Sequence, residues 1–481
     1  MSVPAAAAGP RLGRRVGTTP LVVSGGVIAA LVGLAAGINP LYGLVLVLVL
    51  VFCVTAALRP SSILGLLIVS LFLEIISFGG VSISRLVAPI AIVVVLVEFI
   101  RGRARMGVEL PLVAAAAYTT WAVASGLWTV SGAGTTYLLS SLAIALVYMV
   151  AFAALLNTRR QLERSIYILG FAALLIGASS ILAFGGYPSL FAVKEGRASG
   201  GVGDPSYFAN VQLVALPLVI VVAAATRSVW IRWMLYISVL VIIGSVLTSL
   251  SRGGLIALLL VVALVPLLPA RTLFASPRAK AIMLLVIAVG TIALSTRAAV
   301  REGIVHRFAS VVSPSGGDAG SQRGSGRDNI WAAARLSIGE RPLLGLGYGA
   351  FVHSSNELML RTPGVDLTFY KLREHGAEAH NAYLGTTAEL GFPGLALFVL
   401  LLLSLLITNR RTAARARESG HLFVARFANA LILSLVGWGI SSIFITTETS
   451  RPLWIMIGLT LALPKLAEEP LETAEPRPAF R

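Results

Sequence analysis

Four residues in this chain have the types and settings to act on a charged substrate. Arg252 stands in Ser251-Arg252-Gly253-Gly254, at the end of a fully apolar run. Arg327 is followed by Trp331 and Arg335, a spacing of i, i+4 and i+8 that puts all three on one face of a helix. His380, next to Asn381, closes a long polar segment just before another apolar run. Guanidinium groups bind phosphate and pyrophosphate, bidentately where geometry allows. A histidine titrating near neutrality can take a proton from an attacking hydroxyl. Arg197, in Glu195-Gly196-Arg197-Ala198-Ser199-Gly200, is a further candidate cation. Such a set suits a substrate with a pyrophosphate at a membrane surface and a long apolar tail in the bilayer, a polyprenyl-pyrophosphate-linked sugar.

Each of these residues also has a plainer use. An arginine ending a span can snorkel to the interface, and a lone histidine is often structural. His375, Glu378 and His380 lie close together, but their spacing matches no usual metal-ligand pattern. The glycines of Pro342-Leu343-Leu344-Gly345-Leu346-Gly347-Tyr348-Gly349-Ala350-Phe351 follow no strand, so they read as a close-packed turn and not a nucleotide fingerprint.

The elements that must hold these residues are transmembrane helices. Of 481 residues, 57% are hydrophobic and only 12% charged, against roughly 25% charged in a soluble domain. Bilayer is the solvent that such a chain requires. Apolar runs predict an all-α polytopic protein with about 12–14 transmembrane helices. The expected order is a cytoplasmic tail over 1–19, a bundle of about 11 spans over 20–296, a large extracytoplasmic loop with short helices over 297–382, further spans over 383–464 and a cytoplasmic tail over 465–481. The basic N-terminus could pass for a signal peptide, but no polar domain follows, so it reads as leading into a first span. Cys53, the one cysteine, sits in an apolar run and excludes a disulfide framework. Glu74 reads as an intramembrane carboxylate whose simplest role is an interhelical hydrogen bond.

The net charge of +17 could suggest nucleic acid. Most of it lies in alternate short loops, such as Arg101 to Arg105, Arg159 to Arg164 and Arg410 to Arg417, where it orients a membrane protein with both termini inside. That orientation puts 185–210, 251–254 and 297–380 together on the outer face. Within the long loop, 311–326 is a linker by composition. Ser325 is a plausible N-cap for a helix over about 327–339, stopped by Pro342. Arg327 then falls in its first turn, where backbone N–H groups favour an anion and helix stability does not call for a cation.

Taken together, Arg197 to Ala209, Ser251 to Gly254, Arg327 with Trp331, Glu340 to Gly347, His380-Asn381 and Glu389-Leu390-Gly391 resemble the bacterial O-antigen ligase and Wzy-type polysaccharide polymerase family. The resemblance covers roughly 190–410; the earlier spans match only in kind. It implies a fold like the membrane-embedded type-C glycosyltransferases. It also implies transfer of a glycan from an undecaprenyl-pyrophosphate carrier to a hydroxyl of a glycan or of a lipid or wall acceptor, at the bacterial plasma membrane, with inversion and without a metal or other cofactor. Carried over, Arg252 and Arg327 hold the pyrophosphate and His380 orients or deprotonates the acceptor. Arg197, Trp331, Arg335 and Asn381 are expected at the substrate. The sequence departs from the family where Asp204-Pro205 is followed by Ser206 and not Asn. These motifs do not separate a ligase from a polymerase. The rival class, a lipid-linked glycan transporter, calls for charges or broken helices near mid-membrane in related halves, whereas here the polar features gather on one face.

Overall fold

Long apolar runs leave each backbone polar group to find its partner inside its own segment, and the chain answers with helices. The computed structural model describes residues 59–78, 81–189, 193–194, 196–274, 276–295, 327–364 and 376–468, with the isolated positions 33, 37, 302 and 305. The chain divides into two units, Met1–Arg59 and Pro60–Arg481, and the elements below belong to the second. They are α1 (Ser62–Phe72), a short antiparallel hairpin of β1 (Ser77–Phe78) and β2 (Val81–Ser82), α2 (Ile83–Ile100), α3 (Leu110–Ala124), α4 (Gly132–Leu155), α5 (Arg159–Phe184), α6 (Pro205–Ala225), α7 (Val229–Thr248) and α8 (Arg252–Leu267). There follow the single turn α9 (Ala270–Leu273), α10 (Pro277–Ser295), α11 (Arg327–Glu340), α12 (Ala350–Arg361), α13 (Ala382–Glu418), α14 (Leu422–Ser441) and α15 (Arg451–Ala467).

The protein is an all-α polytopic membrane protein. Among the described residues eight helices are long and apolar enough to cross a membrane, with α1 and α8 shorter apolar helices. The expected spans near 20–58, and Cys53 with them, lie outside the described residues. One expected span is redrawn. The apolar run that begins near 61 stops being helical at Phe72, β1 occupies its last residues and β2 follows. Glu74 therefore sits just past a helix end. It accepts from Arg451 at the start of α15, and the N–H of the neighbouring Ile75 donates to Gly201 O at 2.7 Å. The expected place of Glu74 inside a span is therefore corrected, and in place of an interhelical hydrogen bond it forms an ion pair from a turn to the start of α15.

α6 is the central helix, buried along almost its whole length. It packs against α5, α7, α8 and α14. Its Gln212 donates to Ala173 O at 3.4 Å, and Ser434 of α14 donates to Val214 O at 2.8 Å, so the core helices are joined by polar bonds inside apolar surroundings. On the other flank α15 packs along α4, and α13 lies between α14 and α3. Side-chain caps fix where several helices begin: Thr158 and Gln161 form a capping box on α5, and Asp204, Ser251 and Asn381 cap α6, α8 and α13. The last three caps flank the motifs singled out above.

Candidate active site

The α14–α15 turn, Ser441 to Ser450, is the common support of the site. It is laced internally: Ser442 Oγ donates to Trp438 O at 2.6 Å, Thr447 Oγ1 donates to Ser442 Oγ at 2.6 Å, and Trp454 Nε1 donates to Glu448 O at 2.9 Å. His380 is pinned to it. The His380 N–H donates to Thr446 Oγ1 at 3.1 Å, the Ala382 N–H to Ser442 O at 2.9 Å, and Tyr383 OH to Gly439 O at 3.0 Å. His380 has φ +48°, a left-handed backbone that non-glycine residues seldom adopt. It turns the chain sharply into α13, whose cap is Asn381: Oδ1 accepts from the N–H groups of Tyr383 and Leu384, each at 3.0 Å. The Asn381 oxygen is thus engaged by the helix start.

The start of α8 meets the same turn at Gly253, next to Arg252. Arg252 is the first residue of α8, partly exposed, and Gly253 beside it lies against Phe444 and Ser441. A Cβ on Gly253 would stand 2.8 Å from the Phe444 ring and 3.0 Å from Ser441 O, and one on Gly254 would stand 2.8 Å from Ala209 Cβ. The two glycines let α8 begin in contact with both α6 and the turn. Leu250, two residues before Arg252, is the other described non-glycine residue with a left-handed backbone, also at φ +48°. Strain of this kind persists only where surroundings over-determine it, and it gathers at functional sites.

Arg197 joins this group from the loop before α6. Its Nε donates to Ser249 O at 2.9 Å and its Nη2 to Ser206 Oγ at 3.3 Å, while the Ala198 N–H donates to Thr248 O at 3.1 Å. These bonds commit the Arg197 side chain to holding the α7–α8 junction. Asp204 accepts from the N–H groups of Ser206 and Tyr207, both at 2.8 Å, so the departing Asp204-Pro205 segment is a helix cap.

The segment before His380 is held by α11. Ile330, Ala333 and Ala334 on its apolar face share a core with Phe351, Leu358, Ala377 and Ala379. From the same helix Trp331 Nε1 donates to Ala379 O at 2.9 Å. Arg327, partly exposed, lies one turn earlier; Arg335 lies one turn later and is exposed. Ser325 and His375 lie outside the described residues. The structure thus gathers His380, Arg252, Arg197 and Trp331 around one end of the bundle, with Arg327 on the Trp331 helix and Arg335 farther out.

The glycine-rich segment after α11 and the Glu389-Leu390-Gly391 motif form one interlocked support. The Glu389 carboxylate accepts from the N–H groups of Gly349 at 2.8 Å and Phe351 at 3.3 Å, closing the N-terminus of α12. The Gly347 N–H donates to Glu389 O at 2.8 Å, and the Phe392 N–H to Pro342 O at 2.8 Å. Gly391, at φ +67° and ψ −174°, breaks α13 so that Leu343 can lie against it, where a Cβ would collide with the Leu343 carbonyl.

Two groups escaped the sequence reading. Glu448 is buried in the supporting turn, and burial, then the nearby Glu378, push its carboxyl up to about 7. Tyr348 is fully buried, and burial followed by the neighbouring Tyr118 and Glu448 raises its phenol well above the ordinary range. A carboxylate in an apolar run was the signal that singled out Glu74, whereas Glu448 lies in the polar break Thr446-Thr447-Glu448-Thr449-Ser450 between two apolar runs and carries no such signal. Among the described residues no group of three or more His, Cys, Asp or Glu is placed to hold a metal ion.

Helices long and apolar enough to span a bilayer, with arginines and a strained histidine at one end of the bundle, define a polytopic membrane protein. Residues 237–399 match the family model described as O-Antigen ligase, which supports the family resemblance drawn from the motifs. The matched segment holds Arg252, Arg327, Trp331, Arg335, His380 and Asn381, and leaves Arg197 and Glu448 outside it. No curated protein matches the chain. The family implies glycan transfer of the O-antigen ligase or polymerase type, with a lipid-linked glycan donor and a glycan acceptor in the membrane.

Proposed function

We propose that the protein transfers a glycan from an undecaprenyl-pyrophosphate carrier to an acceptor hydroxyl on the extracytoplasmic face of the bacterial plasma membrane, with both termini cytoplasmic. The acceptor oxygen attacks the anomeric carbon from the side opposite the carrier, the bond from that carbon to the pyrophosphate oxygen breaks, and the configuration inverts. The proton of the hydroxyl passes to the His380 imidazole, and the carrier leaves as a pyrophosphate anion. Arg252 and Arg327 stabilise the charge that develops on it, commonly the largest contribution in such steps. No metal takes part. Arg335 and Asn381 meet the sugar, while Trp331 and Arg197 hold the machinery in place.

The observation that carries this reading is the shared support. His380 and the start of α8 both rest on the Ser441–Ser450 turn, and Trp331 ties the Arg327 helix to the residue before His380. The short Lys/Arg-rich loops fall at the other end of the bundle, which supports the orientation. The test is a transfer assay in reconstituted membranes with a defined lipid-linked donor and two acceptors, a glycan and a lipid anchor. His380→Ala should lower transfer by about 10²- to 10⁴-fold, and wild-type transfer by that variant would remove His380 from the chemistry. The acceptor that is used separates polymerase from ligase. Carrier movement across the bilayer without transfer would reverse the reading in favour of a transporter.

A further inference from the structure

The end of the bundle opposite His380 carries a second cationic feature. A cavity of about 920 Å³ lies among the α4–α5, α6–α7 and α13–α14 turns, lined by Arg159, Arg160, Arg227, Arg426, His421 and Thr158 among others. Four guanidinium groups line it against one carboxylate, Glu163, which Arg159 already engages at 2.8 Å. Arg159 also stacks over Phe423, 4.3 Å from the ring centroid, and faces the like charge of Arg426. Like charges collected around one concave space build a positive potential that favours an anion.

Three helices begin at the rim of this cavity, α5, α7 and α14, and their first N–H groups and dipole ends add to the positive potential. α5 closes its start with its own capping box. Ser228 and His421, at the starts of α7 and α14, make no side-chain cap bond. Trp230 and Trp233, on the first turns of α7, are 86% and 57% exposed. Exposed tryptophans beside arginines mark the headgroup level of a bilayer.

We propose that this cavity binds the phosphate of an anionic membrane lipid. The arginines and the α7 and α14 N-termini take the headgroup, and the exposed indoles stand at the level of the lipid's glycerol. Basic pockets between transmembrane helices on the Lys/Arg-rich side recognise lipid phosphate in this manner. The proposal does not depend on the glycan-transfer reading, because no residue of the His380 end takes part.

The test uses the full chain in a neutral detergent, followed by thermal unfolding and native mass spectrometry. Phosphatidylglycerol should raise the melting temperature and remain bound, and phosphatidylcholine should do neither. Arg160→Gln with Arg227→Gln, both at exposed positions, should weaken phosphatidylglycerol binding about 25-fold, from about a factor of five for each surface arginine. Arg160→Lys with Arg227→Lys should restore much of it, which separates lost charge from lost folding. Equal binding by wild type and the double Gln variant would overturn the proposal. So would stabilisation by inorganic phosphate or pyrophosphate with phosphatidylglycerol inert, which would make this a site for a free anion.

Discussion

The indole of Trp331 donates to the carbonyl oxygen of Ala379 across 2.9 Å, joining a helix of the long loop to the residue immediately before His380. This bond spans 48 positions of sequence. It registers Arg327, one helical turn before Trp331, against the segment that carries the histidine, and α11 cannot slide without breaking it.

Trp331→Phe keeps most of the ring but leaves the Ala379 oxygen without this donor. A hydrogen bond of this kind contributes about 1 kcal/mol, so we expect transfer to slow about fivefold at saturating donor, with donor affinity close to wild type. Steady-state kinetics in reconstituted membranes separate the two. Unchanged turnover would show that the bond serves folding alone.

Arg252→Ala and Arg327→Ala should each lower turnover about 10²- to 10³-fold, the range for losing a preorganised donor to a developing anion. Lysine at either position keeps the charge but not the planar fork and should recover only part of the rate. If both alanine variants bound the lipid-linked donor and turned it over normally, the pyrophosphate assignment would fail.

Glu448 makes stability depend on pH. Burial pushes its carboxyl from an ordinary value of 4.5 up to about 7, so the folded protein holds a proton that the unfolded chain releases in that interval. The contribution of neutral Glu448 is therefore complete below about pH 4.5 and is lost as pH rises through 7. Melting temperatures taken from pH 5 to 8 should fall across this window in wild type and stay flatter in Glu448→Gln. Identical slopes would rule out Glu448 as the source.

Glu389→Ala removes the acceptor of two buried N–H groups, those of Gly349 and Phe351. Each buried donor left unpaired costs about 1–3 kcal/mol, so the variant should melt well below wild type, and Glu389→Gln should regain part of the loss by keeping one acceptor oxygen. A wild-type melting temperature for the alanine variant would mean that α12 has another anchor.

The helical bundle was legible because a bilayer enforces long apolar runs, and the start of α11 at Arg327 followed from the residue pattern. Glu74 was misplaced because the apolar run continues past Phe72, where the helix stops, and its arginine partner is 377 residues away in sequence. The roles of Arg197 and Asn381 were only half visible. Sequence offered them as residues at the substrate, whereas their bonds to the Ser249 carbonyl and the α13 N–H groups come from backbone geometry. Glu448 went unnoticed because its burial and its nearness to Glu378 come from the fold and not from its sequence neighbours.

The turn between α14 and α15 gives the site a common reference frame. His380 hangs from Thr446 and the start of α8 rests on Phe444, two residues away. When the surrounding bilayer thins or thickens and the helices tilt, both groups ride on the same short stretch of chain, and the gap between them is shielded from the motion. The proposed base and the proposed anion holder, travelling together, keep their alignment in a solvent that never stops undulating.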